Sequence, residues 1–190
     1  MTEKANIYEE KAHNTFKSLL NISLEEELFT AYYRDIIKKT PGAEPRKVET
    51  EDVLRLKFEI MCFALSHCIV SGGIKYFSNN MDNFPKYTKS LLAYFVAYIK
   101  RLNISDIREF VPSALEPTST FEYSGKLDPM KRIKEYVEAG SPDRVAEIFV
   151  KKVGYAIDPD HQASTSILAA IHAPHIIEEV EVILASVLGE

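Results

Sequence analysis

The chain has 190 residues, 46% of them hydrophobic and 27% charged, with a formal net charge of -5. That length suits one globular domain with a real core, and the composition excludes disordered and fibrous classes. Basic residues occur only in short mixed runs such as Lys131-Arg132 and Lys151-Lys152, so nucleic acid is not an expected partner.

The first thirteen residues, "MTEKANIYEEKAH", carry charges where a signal peptide needs an apolar run, so a cytoplasmic location is expected. The uncharged part of the most apolar run, Ile60 to Ile74 between Glu59 and Lys75, has 15 residues. A bilayer span needs about 20, so no membrane-spanning segment is expected. Cys62 and Cys68 lie about 240° apart on a helix, which rules out a bridge between them and suits reduced thiols.

Periodicity predicts an all-α fold: one multi-helix bundle of about seven to nine helices, forming a single domain over residues 1–190. A first helix over Ile7 to Leu20 places Ala12, Phe16, Leu19 and Leu20 on one side. Ser23 with Glu26 forms a capping box that opens a second helix reaching about Lys39. A long helix starts near Thr50 and runs to Phe77; it is apolar all round and should lie at the centre of the fold. A fourth helix after Pro85 turns Leu91, Leu92, Phe95, Val96, Ile99 and Leu102 inward, and a shorter one follows Ser105.

Val111 to Leu127 reads as an irregular loop or linker, and "STFEYSG" within it is the one strand candidate, with nothing evident to pair with. Asp128-Pro129, Ser141-Pro142 and Asp158-Pro159 each present a capping side chain followed by proline at the first helical position. The last segment carries Ile176, Ile177, Val180, Ile183, Leu184 and Val187 as an apolar stripe on an acidic background. Such a stripe pairs with a second copy, with a protein partner, or with the chain's own core.

Two places hold chemistry-bearing residues. In the apolar run "FEIMCFALSHCIVSGGIKYF", His67, Cys68, Ser71, Gly72 and Gly73 lie together, and the candidate occupant is a small apolar ligand or a haem-like group. A core histidine there should be neutral at pH 7. The paired glycines cost a helix about 1 kcal/mol each, so they need a helix end, a kink or a close approach to explain them. In "AAIHAPHIIEEVE", His172, His175 and Glu178 are spaced by three, a set that zinc or non-haem iron accepts, although Pro174 interrupts the hydrogen-bond ladder between them.

Glu10-x-x-His13 has the form of a di-iron ligand pair, but the only other near match, Asp158-x-x-His161, reads as a helix start, so no di-iron centre is expected. There is no nucleophile elbow, phosphate loop, dinucleotide fingerprint or His-Glu-x-x-His motif. The leading expectation is therefore a binding or assembly module acting through its C-terminal helix, and not an enzyme. A ligand-holding sensor or carrier built around His67 comes second, and a metal-dependent enzyme using His172, His175 and Glu178 third.

Overall fold

A computed structural model describes residues 3–22, 50–103, 108–112, 121–157 and 162–189. In chain order the elements are α1 (Glu3–Ile22), α2 (Thr50–Tyr76), α3 (Phe84–Arg101), β1 (Arg108–Pro112), β2 (Phe121–Lys126), α4 (Pro129–Glu138), α5 (Pro142–Ile157) and α6 (Gln162–Leu188). The fold is a helical bundle with one small hairpin. Six helices occur among the described residues, against the seven to nine expected. The helix expected from Ser23 and the start expected at Asp158-Pro159 fall outside the described residues.

α2 is the axis of the bundle. Every residue from Phe58 to Ile69 is buried, and α2 packs against all five other described helices. An all-round apolar surface leaves no solvent face, so a helix of this kind is stable only when neighbours cover it on every side. Phe63 stacks on Phe149 of α5 at 4.3 Å between ring centroids and meets Tyr136 of α4 at 6.4 Å.

α1 and α3 form the opposite flank. Ala12, Phe16 and Leu19 are buried as the periodicity predicts, and Tyr87, Leu91, Phe95 and Ile99 form the inward stripe of α3. Phe16 packs between Tyr94 and Tyr98 at 6.1 and 6.0 Å, and the Tyr87 hydroxyl donates to Thr15 Oγ1 at 3.1 Å.

Two expectations for the middle of the chain are corrected. Residues 108–112 form a strand where a short helix was expected, and "STFEYSG" does have a partner. β1 and β2 pair antiparallel, with Phe110 opposite Tyr123 and Val111 opposite Glu122. The segment 111–127, expected to be irregular, therefore contributes to both strands, while 113–120 lie outside the described residues. The reason is general: a strand's stability comes from a partner distant in sequence, whereas helical periodicity can be read locally.

The Asp128 cap behaves as the sequence indicates. Asp128 Oδ1 accepts from the amides of Met130 and Lys131 at 3.0 and 3.1 Å, which fixes the start of α4. Gly140, at φ 74°, ends α4 in the left-handed conformation that glycine adopts without penalty. α6 continues through Pro174, which sits on its exposed side, where the carbonyl of Ala170 that loses its partner can face water. Among the described residues no helix is long and apolar enough to cross a membrane.

Candidate functional site

His67, Ser71 and Lys75 lie four apart on α2, so they form one row along the helix. That row meets a single carboxylate on α6. His67 Nε2 is 3.0 Å from Glu181 Oε1, Ser71 Oγ donates to the same oxygen at 2.6 Å, and Lys75 Nζ donates to Oε2 at 2.7 Å. An ionised carboxylate only accepts, so the imidazole carries its proton on Nε2, and Nδ1 is left buried with no hydrogen-bond partner among the described residues.

Electrostatics agree with this tautomer. Burial pulls the His67 pKa below 6.5; hydrogen bonding to Glu181 and the charge of Glu181 oppose that, and the Lys75 charge adds to it. Partial burial raises the Glu181 pKa, but the hydrogen bonds from Lys75, Ser71 and His67 and the Lys75 charge outweigh it. The group is held at about 2, below its ordinary 4.5. At neutral pH the site is a neutral imidazole, a hydroxyl and an ammonium clasping one anion. Ser71 donates to a carboxylate whose lowered pKa makes it a weak base, and not to the imidazole. His67 Nε2, the atom suited to ligate a haem-like group, faces Glu181.

The two glycines face different neighbours. α2 neither ends nor breaks at them. A Cβ on Gly72 would lie 3.6 Å from Leu184 Cδ2 and 3.9 Å from Leu188 Cδ1 of α6, while one on Gly73 would come within 2.9 Å of Phe84 Cζ at the start of α3. A close approach is thus made at Gly73, by the Phe84 ring, while Gly72 leaves room for a methyl group. Cys68 is fully buried, and desolvation, reinforced by the Glu181 charge, pushes its thiol pKa far up, so it stays a protonated core residue.

Sequence reasoning missed a second polar cluster. Buried Glu59 of α2 pairs with buried Arg132 Nε of α4 at 3.1 Å and accepts from the Tyr136 hydroxyl at 3.0 Å. Arg132 Nη1 also donates to Glu135 at 2.8 Å, and Lys152 of α5 reaches Glu135 at 3.2 Å. This network joins three helices through satisfied charges. Glu59 marks the edge of the apolar run in the sequence; its partner is 73 residues away and leaves no local trace.

Next to this core lies an open cleft of about 590 Å³ where α2, α3 and α4 meet. Its apolar wall is Ile69, Leu92, Ile133 and Val137, with Met130 at the edge. Thr88 also lines it, with a buried hydroxyl that has no hydrogen-bond partner among the described residues. Asp128, Lys131 and Lys134 complete the lining and are exposed. None of the candidate site residues expected from the sequence lines this cleft; Ile69 stands next to Cys68 and two positions from His67.

The C-terminal set is not gathered to a point. His172 is buried, whereas His175 and Glu178 are exposed. The two imidazole centroids are 6.4 Å apart, and His175 Nδ1 is 4.0 Å from Glu178 Oε2. Among the described residues no group of three His, Cys, Asp or Glu side chains is placed to hold a metal ion. The apolar stripe of α6 faces inward: Ile176, Val180 and Leu184 are buried in the chain's own core, beside half-buried Ile177, Ile183 and Val187. Comparison of the chain with protein-family models, curated proteins and solved structures finds no match.

Proposed function

We propose that this protein is a helical binding module that takes a small, largely apolar molecule in the cleft between α2, α3 and α4, as a carrier or sensor. The observation that carries the reading is the cleft itself: about 590 Å³, walled by aliphatic side chains, with one buried hydroxyl that lacks a partner among the described residues. Ligand sites combine such a volume and apolar lining with a few placed polar groups. Relative to the expectation centred on His67, the ligand moves to the neighbouring face of α2, because the imidazole is committed to Glu181. The stripe expected to pair with a partner is occupied within the chain, which weakens the assembly reading for those residues.

The test is a titration with an uncharged apolar dye such as 1-aminoanthracene. Saturable binding to one site is expected, with loss in Leu92→Trp and in the milder Val137→Phe, each checked for retained helicity. Absence of saturable binding, or binding indifferent to both cleft-filling variants, contradicts the proposal.

Association through α6 remains a second reading on a different face. Ile167, Ile171 and Val182 are each more than half exposed, and they fall within about 60° of one another around the helix. Light scattering on the intact chain and on Ile171→Glu tests it: a dimer that the substitution dissolves supports self-association, and a monomer at all concentrations removes it.

A further inference from the structure

We infer that the cleft selects an amphipathic organic acid, a molecule with one carboxylate and an aliphatic or aromatic body; the inference rests on the cleft being the ligand site. The cleft offers two polar features. Thr88 lines the cleft, and its hydroxyl, shut off from solvent, has no hydrogen-bond partner among the described residues; rotation about its Cα–Cβ bond would offer it to an oxygen of a bound molecule. The rim contributes charge, and its sign follows from who is already engaged. The Asp128 carboxylate is held by the amides of Met130 and Lys131 at 3.0 and 3.1 Å, which offsets it locally. Lys131 and Lys134 stand one helical turn apart on α4, both exposed. Among the described residues the contact of Lys134 is a distant, solvated one with Glu138 at 3.6 Å, a pair of little strength.

The unneutralised charge at the mouth is therefore positive. A carboxylate supplies what both features lack: acceptor oxygens for a hydroxyl and a negative charge for an ammonium. The body of the molecule then lies on Ile69, Leu92, Ile133 and Val137. A dianionic phosphate ester fits less well, since two solvated lysines form a thin cationic cluster and no arginine is among the described residues that line the cleft.

The experiment compares decanoate, decan-1-ol and decylammonium on the full-length protein by calorimetry at low salt. All three share one tail, so the head group alone is varied. Decanoate is expected to bind tightest, by roughly tenfold over decylammonium, through attraction in one case and repulsion in the other. The preference should vanish in Lys131→Ala/Lys134→Ala and survive in Lys131→Arg/Lys134→Arg, and all binding should be lost in Val137→Phe. Equal affinities for the three heads, or a preference untouched by the double alanine variant, overturn the acid assignment while leaving the cleft as an apolar site. If none of the three binds, or binding persists in Val137→Phe and in Leu92→Trp, both the acid and the cleft fall together.

Discussion

His67 and Glu181 stand 114 positions apart in the chain and 3.0 Å apart in space. Their contact fixes how α6 lies on α2. The same carboxylate takes Ser71 and Lys75, so one residue of α6 reads three successive turns of the central helix. Helices packed only through aliphatic ridges can slide by a turn at modest cost. A carboxylate with three donors on one side fits a single register.

Removing the anion should therefore loosen that register. Glu181→Ala leaves a buried imidazole N–H and a buried hydroxyl without an acceptor and is expected to destabilise by about 2–3 kcal/mol. Ser71→Ala removes one donor and should cost about 1 kcal/mol. Lys75→Ala, with its ammonium largely in solvent, should cost less than either. Urea unfolding midpoints of the three variants check the order.

Acid should weaken the fold in two stages. The His67 pKa is lowered in the folded protein, so the unfolded chain binds the extra proton first. Its contribution is complete above the unfolded value of 6.5 and is lost as pH falls through the lower folded value. The Glu181 pKa is also lowered, from 4.5 to about 2, so its contribution is present above 4.5 and disappears on approach to 2. In His67→Gln the first stage should be absent and the second retained. Denaturant midpoints against pH for both proteins provide the comparison.

The two glycines should respond in opposite senses to the same substitution. Alanine at Gly72 meets Leu184 and Leu188 at ordinary van der Waals distance, so the helix gains about 1 kcal/mol of intrinsic propensity without a clash. Alanine at Gly73 drives into Phe84 at 2.9 Å, where overpacking of about 1–3 kcal/mol cancels or exceeds that gain. Melting temperatures of Gly72→Ala above the parent and of Gly73→Ala at or below it are the expected result.

The Glu59–Arg132 pair should be costly to break and cheap to replace as a whole. Each partner is nearly inaccessible, so Arg132→Met alone leaves the buried Glu59 carboxylate without this cation at a cost of about 3–5 kcal/mol, whereas Glu59→Leu leaves Arg132 its contact with Glu135 and should cost less. The double variant removes both charges and should recover most of that loss. A double-mutant cycle in urea shows whether the coupling is present.

Much of this architecture was legible in the sequence, and the limits are physical. The central position of α2 follows from the uninterrupted burial demand of Phe58 to Ile69, and α4 announces itself through Asp128-Pro129. A neutral buried His67 was readable too, because desolvation depends on the apolar neighbours that the helix itself supplies. Its partner was not: Glu181 sits among Glu178 and Glu179, and nothing local distinguishes the one carboxylate that turns inward. The pairing of 108–112 with 121–126 and the Glu59–Arg132 contact are likewise non-local. The cleft is the space left between three helices, and no single segment encodes a gap.

On the proposed reading the ligand lies beside the imidazole and not upon it. Methyl and imidazole NMR of the full-length protein during a decanoate titration tests that most directly. Saturable shifts at the methyls of Ile69, Leu92, Ile133 and Val137, with the His67 ring signals unmoved, are the predicted result. A His67 ring that shifts first while those methyls stay fixed would contradict it.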